Sequence, residues 1–237
     1  MSTYVYAITG ATHPLRLDGL RGVGDPPSPL RTVRTEALTA VVSDAPPGLR
    51  AKRRDVMAHQ GVLEALMADG ATLPMRFGLL GPDDERVADV LGQEEPAYRQ
   101  RLAELDGHVE YNLKAGRDEA DMLRAVLAGS ERARELNEVT RGGSGTHDDR
   151  VALGELVSHE VAARGEREAE DIVTLLGASA TRVTVATVGG NHFLNASFLV
   201  PAAHTAAFVQ AVQAEADRRG GAYSFTLTGP LPPYSFV

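Results

Sequence analysis

From residue 109 onward the patterned segments of this chain come in the order strand, helix, strand, strand, helix, strand, an order that few folds accept. Val109-Glu-Tyr-Asn-Leu-Lys-Ala115 alternates in polarity, the period-2 signature of a half-buried strand. Helical stretches follow over about 117–137 and 149–176, separated by the turn-forming Gly142-Gly-Ser-Gly145. The segments 182–188 and 193–200, on either side of Gly189-Gly-Asn191, read as an antiparallel hairpin. The next helix, 203–219, carries Phe208, Val209, Val212 and Ala216 on one side and is stopped by Gly220-Gly221; Tyr223-Ser-Phe-Thr-Leu-Thr228 then alternates as a last strand. This β-α-β-β-α-β series predicts a modified ferredoxin-like unit whose first crossover is enlarged into a helical excursion over about 117–177. Within the excursion, Arg164–Asp171 shows almost no apolar stripe and is expected to face water or a partner.

The tail that leaves the last strand is as constrained as the series before it. Pro230, Pro232 and Pro233 each fix φ and lack an amide hydrogen, so residues 229–237 can form neither a helix nor a central strand and read as a stiff extended arm. Tyr234, Phe236 and Val237 make its tip apolar, which predicts that it docks on its own domain or on another chain.

The first half reads as a separate α+β unit. Tyr4-Val-Tyr-Ala-Ile8 and 36–43 are short, rich in β-branched and aromatic residues, and predicted to be strands. The Gly- and Pro-rich stretch 19–29 between them is a loop, and Gly19-Leu-Arg-Gly-Val-Gly24 lacks the Lys-Ser/Thr ending of a phosphate loop. Val56, Leu63, Leu66 and Met67 recur at helical spacing over 52–69, and Gly70 ends the pattern. Leu73-Pro-Met-Arg-Phe-Gly-Leu-Leu80 follows as an extended segment, and Pro82-Asp-Asp-Glu85 opens a helix predicted to run to about Leu105. The expected fold class is therefore α+β with two domains, 1–105 and 106–237, the second carrying the tail 229–237.

Composition removes whole classes of chemistry. The chain has 237 residues and no cysteine, so disulfides, thiolate metal sites and thiol nucleophiles are excluded, and a reducing cytoplasm is the expected compartment. No basic leader opens the sequence and no window approaches the ~20 apolar residues of a membrane span. The formal charge of −8 argues against nucleic acid as a partner, and the one dense basic run, Arg50-Ala-Lys-Arg-Arg54, reads as a solvated helix start.

A search for a reaction centre finds isolated residues only. His159-Glu160 lacks the second histidine of a zinc-protease helix, since position 163 is Ala. His147-Asp148-Asp149 is expected inside a glycine-rich loop, where contiguous groups point apart and read as solvated. Ser43-Asp44 and Ser158-His159-Glu160 have no nucleophile elbow, and paired acids such as Asp83-Asp84 and Glu94-Glu95 read as solubility residues. Asn191, His192 and Phe193 form a candidate small-ligand corner, with a turn asparagine and a half-buried strand entrance as the plainer reading. Neither a metal nor a cofactor is expected.

Several stretches, taken in order, resemble the gas vesicle accessory proteins GvpL/GvpF. They are Tyr4-Val-Tyr-Ala-Ile8, His59-x-x-Val-Leu-Glu64, Leu73-Pro-Met-Arg-Phe-Gly78, Leu105-x-Gly-x-Val-Glu-Tyr-x-Leu-Lys114, Leu194-Asn-Ala-Ser-Phe-Leu-Val200, and the ending Gly229-Pro-Leu-Pro-Pro-Tyr-Ser-Phe-Val237. Ala7, Tyr111 and Leu231 depart from the family pattern in ways that look like packing substitutions. The resemblance implies a non-enzymatic accessory protein with an N-terminal α+β domain and a C-terminal modified ferredoxin fold. It also implies a role in vesicle nucleation or assembly through binding the small hydrophobic shell protein, other accessory proteins being candidate partners, and hence a vesicle-associated place in the cell. A soluble acidic protein with an apolar groove could hold such a subunit and release it to a growing edge.

For that contact the sequence offers Leu73, Pro74, Met75, Arg76, Phe77 and Gly78, where adaptable Met and Phe stand beside a proline that interrupts a sheet ladder. A strand of the domain core is the competing reading. Pro230, Pro232, Pro233, Tyr234 and Phe236 are the expected docking residues of the tail, as a clasp across its own domain. The alternative function is a ferredoxin-like small-ligand sensor or enzyme that shares the motifs; a bound metabolite in purified material would separate the two.

Overall fold

The computed structural model describes residues 2–143 and 145–237. Ser144 of the expected glycine-rich loop lies outside them. The chain divides into two compact units, Met1–Glu110 with Pro230–Val237, and Tyr111–Gly229. The expected division at residue 105 gave the tail to the second domain, whereas packing groups 230–237 with the first unit.

The first unit is built on strands β1 (Thr3–Gly10), β2 (Arg31–Arg34), β3 (Leu38–Asp44), β4 (Thr72–Pro74) and β5 (Leu80–Gly81), with helices α1 (Arg53–Asp69), α2 (Asp84–Gln93) and α3 (Glu95–Leu105). The strands form one sheet in the order β2-β3-β1-β4, and β5 also pairs with β1. β1 and β3 run antiparallel from Thr3↔Asp44 to Gly10↔Leu38, with a register shift between Val5 and Ala7. β1 is buried from Thr3 to Thr9, as a central strand must be when both faces of its sheet are covered. Tyr4 and Tyr6 pack with Val62, Leu63 and Leu66 of α1 in the core. Val5, and Ile8 beyond the register shift, line a groove with Val87, Val90 and Leu91 of α2 and Tyr98 of α3.

Three features of this unit differ from the expectation. β2 was not anticipated, because four residues bounded by arginines carry too little periodicity. The helix expected from Pro82 to Leu105 is two helices meeting at Glu94 (φ −102°, ψ 11°), because Pro96 has no amide to donate and its ring would strike the carbonyl four residues back. The extended segment 73–80 is a strand only at its two ends: Thr72–Pro74 pairs with β1, residues 75–79 turn, and Leu80–Gly81 rejoin β1.

The second unit has strands β6 (His108–Arg117), β7 (Arg182–Val185), β8 (His192–Pro201) and β9 (Tyr223–Leu231), with helices α4 (Glu119–Gly129), α5 (Glu131–Arg141), α6 (His147–Gly177) and α7 (Thr205–Arg219). The sheet order is β7-β8-β6-β9. Its core stacks Tyr111 and Phe198 on Phe208, with ring centroids 5.4 and 5.2 Å apart. Ile172 and Leu176 of α6 are fully buried as well.

Here too the differences have local causes. The stretch 117–137 is two helices, separated by extended Ser130, whose hydroxyl accepts the Ala133 amide and caps α5. α6 begins at His147 because Thr146 and Asp149 close a reciprocal capping box. Its charged middle does not simply project into water. Gly165 is buried, and a Cβ there would stand 3.1 Å from Phe193 Cβ, so a glycine lets the helix approach the sheet where no apolar stripe is visible. The tail is not a uniform extended arm either. β9 continues through Gly229 and Pro230 to Leu231, which an edge strand permits, and Tyr234–Phe236 coil into a 3-10 turn.

Candidate functional site

The segment Leu73–Gly78 separates residue by residue into core and surface. Leu73 and Pro74 are buried in β4, Met75 and Phe77 are half-buried, and Arg76 and Gly78 are exposed. Leu79 and Leu80, just beyond, are 44% and 50% exposed. The turn that presents these residues is held from below by hydrogen bonds. Met75 N–H donates to the Tyr6 carbonyl (2.9 Å) and Val5 N–H to the Leu79 carbonyl (3.1 Å). Gly78, at φ 90° where a side chain would be strained, donates its N–H to the Tyr4 hydroxyl (3.2 Å).

His59 is the hinge pin of this arrangement. Its Nε2 lies 3.0 Å from the Met75 carbonyl, which can only accept, so that nitrogen carries the proton. Burial favours the neutral ring and lowers the His59 pKa, leaving Nδ1 free to accept the Tyr4 hydroxyl proton at 2.9 Å. Every polar atom of the Tyr4–His59 pair is thereby used. Phe77 closes the cluster edge-on, 5.9 Å from Tyr4 and 5.7 Å from His59. A parallel chain fixes the loop before β2: Val23 N–H donates to Tyr6 Oη (2.8 Å), and Tyr6 Oη and Ser43 Oγ are 2.9 Å apart. Ser43 Oγ in turn donates to the Asp44 carbonyl. Asp55, buried at the start of α1, accepts the Gly24 N–H at 2.9 Å.

Beside the turn lies an apolar groove of about 290 Å³ lined by Met75, Leu79, Leu80, Val87, Val90 and Tyr98 among others. Sequence reading passed over its helical wall, although Val87, Val90 and Leu91 recur at i, i+3 and i+4. The wall is anchored by Asp84 in the first turn of α2, which receives Arg31 through Nε and Nη2, each at 2.8 Å, and the Thr3 hydroxyl. The Arg31 hydrogen bonds hold the Asp84 carboxyl at about 2, below the usual range.

The tail residues fall on one side of the same unit. Pro232, Pro233 and Phe236 are buried, Tyr234 is half-buried against the Tyr4–Tyr6 core, and Pro230 is exposed. Ser235 donates both its N–H (2.8 Å) and its hydroxyl (2.7 Å) to the buried Glu110 carboxylate. Burial pushes the Tyr234 phenol up to about 12, with the Glu110 and Glu64 carboxylates adding to the effect.

In the second unit, charge collects at the start of the helical excursion. Arg117 bonds Asp121 and Glu168 and lies 5.0 Å from the Tyr223 ring centre, and the Tyr223 hydroxyl donates to Glu168 at 2.9 Å. Asn191, His192 and Phe193 border a pocket of about 550 Å³ with Met122, Val157 and Val161. Asp149, one of the candidate loop ligands, is spent on the Thr146 cap. Among the described residues, no group of three or more His, Cys, Asp or Glu suited to a metal occurs and no helix is long and apolar enough to cross a membrane.

These features define a two-unit α+β protein with an apolar groove beside a turn held by hydrogen bonds. The family described as Gas vesicle synthesis protein GvpL/GvpF matches residues 2–237, and the chain belongs to that family. It is 46% identical to Gas vesicle protein F of Streptomyces sp. (strain CB03234) over 100% of both chains. It is 28% identical to Gas vesicle protein L of the same strain, over 99% of this chain and 92% of that one. The fold is that of two crystal structures of the gas vesicle protein GvpF. The Anabaena sp. PCC7120 protein gives a TM-score of 0.85 at 22% identity, covering 99% of this chain and 97% of that one. The Microcystis aeruginosa protein gives 0.79 at 24% identity, covering 99% and 98%.

Proposed function

We propose that this gas vesicle accessory protein is a non-catalytic assembly factor that captures the hydrophobic shell protein during nucleation and growth of the vesicle. One observation carries the reading: the first unit leaves Leu79 and Leu80 half exposed at the lip of an apolar groove. Proteins seldom keep such a lip without a use for it. The hydrogen bonds from Tyr4, Tyr6 and His59 hold the lip in place, so an apolar segment would meet a preformed surface rather than one that must first be ordered. Met75 lines that groove and Arg86 supplies a cation to it, whereas Phe77 packs against Tyr4 and His59 and Arg76 is exposed on the turn between them. Leu73 and Pro74 support it from the core. The cytoplasm, with the vesicle surface, is the place where such a protein would act.

The test is co-expression with the shell protein, affinity capture, and mass spectrometry of the soluble complex. Replacing Leu79 and Leu80 together by Asp is expected to lower capture by about tenfold or more, because two apolar contacts become desolvated charges. Arg76→Glu should weaken it less, and neither variant should shift the thermal midpoint, since all three side chains are exposed. Failure of the unaltered chain to capture the shell protein, even with the other accessory proteins present, would overturn the reading.

We read the second unit as a modified ferredoxin-like domain, supported by its strand order β7-β8-β6-β9 and the β-α-β-β-α-β succession. The small-ligand alternative is favoured by one feature, the pocket of about 550 Å³ at Asn191–Phe193, and predicts a metabolite retained by purified protein.

A further inference from the structure

Sheet edges carry unpaired N–H and C=O groups, and proteins usually blunt them with charge, proline or brevity. Three of the edges here are blunted in that way. β2 is four residues long with arginine at both ends, β4 is three residues ending in Pro74, and β5 is two residues. β9 runs into Gly229-Pro230 and keeps Phe225 and Leu227 half-buried.

β7 is as short as β2 and opens on Arg182, but no charge and no proline follows the arginine. Arg182-Val-Thr-Val-Ala-Thr-Val188 contains no proline, lysine or acidic residue. It pairs with β8 without a bulge from Arg182↔Leu199 to Val185↔Ala196. Val185 is 59% exposed and Val188 42%. Ala186 N–H donates to the Asn195 carbonyl at 2.8 Å, so by the alternation of an antiparallel ladder the backbone groups of Val183 and Val185 point away from the sheet. A Cβ on Gly177 of α6 would touch Val183 at 3.5 Å, so that helix end lies over the strand, and Leu175 in the same turn is 53% exposed. An unpaired ladder and a strip of apolar side chains therefore share one edge.

We propose that this edge pairs antiparallel with the β7 edge of a second copy of the chain, joining two four-stranded sheets into one. The segment is complementary to itself. Centred on Thr184, the pairing sets Val183 opposite Val185 of the second copy, Thr184 opposite its equivalent, and Arg182 opposite Ala186. The outward-facing groups of Val183 and Val185 are the ones that bond in this register. Two chains of net charge −8 would meet where neither brings an acidic side chain, with the two Arg182 residues at opposite ends of the joint. The two-fold closes on itself, so each edge is used once and no filament grows. So short a ladder buries less than the ~800 Å² per partner of a stable interface, which makes the dimer weak and concentration-dependent.

Sedimentation equilibrium of the full chain across a concentration series tests this, alongside two variants. Val185→Lys adds a solvated charge to an exposed edge position; it should leave the circular dichroism and thermal midpoint unchanged and raise the dimer Kd by about tenfold or more. Because the chain has no cysteine, Thr184→Cys introduces a single thiol. Its equivalent in a non-hydrogen-bonded antiparallel pair would be about 4.5 Å away between Cα atoms, within disulfide reach. Mild oxidation should then give a covalent dimer, whereas Val188→Cys should not. The proposal falls if the chain stays monomeric up to its solubility limit, if Val185→Lys dimerises as well as the parent, or if Thr184→Cys does not cross-link. It falls equally if residues 182–188 gain exchange protection only when the shell protein is added, since a different chain would then own the edge.

Discussion

The two units bury polar groups in different ways. The first threads a neutral chain through the middle of its core, with Tyr4 on His59 and Tyr6 on Ser43, between the sheet and α1. The second keeps the interior beneath its sheet aromatic and aliphatic around Phe208, and gathers charge at one end, where Arg117, Asp121 and Glu168 meet Tyr223. Neutral hydrogen bonds in a core contribute modestly to net stability but are directional and costly to leave half-made. They suit a unit that must hold a surface turn in one conformation. An aromatic core derives its stability from burial and says less about where any one loop sits.

The harshest way to break the contrast is to remove the centre of the aromatic core. Phe208 is fully buried between Tyr111 and Phe198, so Phe208→Ala should destabilise the second unit by about 3–5 kcal/mol through lost burial and a cavity. Since the chain lacks tryptophan, urea unfolding is best followed by circular dichroism, with hydrogen exchange along β6 and β8 to locate the effect. A loss below 1 kcal/mol would mean that the aromatic stack does not hold the unit together.

The counterpart in the first unit removes one atom. Tyr4→Phe leaves the His59 Nδ1 and the Gly78 N–H without a partner, at an expected cost of about 1–3 kcal/mol. Its mark is positional, in that exchange should accelerate at residues 75–79 rather than throughout the sheet. The same network responds to pH. The His59 pKa is lowered in the folded chain by burial, so below the ordinary value of 6.5 the unfolded chain binds the proton first. Stability is therefore complete above 6.5, falls as pH drops through that value, and levels off below the folded pKa. His59→Gln should remove this slope, which urea midpoints at a series of pH values would reveal. Asp84, held at about 2, contributes in a lower window, between 3.8 and about 2, so the two slopes are separable.

What could be read from the sequence follows the same division. Periodicity exposed β6 and β9 of the second unit and its helix α7, because polarity alternates along those strands and apolar residues such as Phe208 and Val212 recur on the helical period. It failed where geometry rests on something other than an apolar stripe. Gly165 brings α6 onto the sheet by having no side chain, and Glu168 turns inward because Arg117 and Tyr223 are waiting for it. Helix breaks at Glu94 and Ser130 depended on a proline clash and a single hydroxyl cap. At the candidate site, the sequence picked out Leu73–Gly78 as a unit, yet only alternate members reach the surface. The opposing wall on α2 and α3 lies up to 25 residues further along, beyond any local pattern. Nor does spacing reveal that His59 pins the turn, since a lone histidine on an apolar helix face looks the same whatever it bonds.

The smallest expected effect sharpens the comparison at the tail. Glu110 is 4% exposed, and Ser235 supplies two donors to its carboxylate, one from the backbone and one from the hydroxyl. Ser235→Ala removes only the hydroxyl. The backbone donor stays, Phe236 and the two prolines remain buried, and the carboxylate keeps a partner, so the loss should be about 1 kcal/mol or less. Glu110→Ala takes away both carboxylate acceptors. If the tail is seated by its apolar residues, the two variants should differ little, and limited proteolysis should release residues 230–237 from neither. If the carboxylate seats it, Glu110→Ala alone should free the tail and expose Tyr234. The tail would then belong, with the Tyr4–His59 pair, to the directional way of building that distinguishes the first unit from the second.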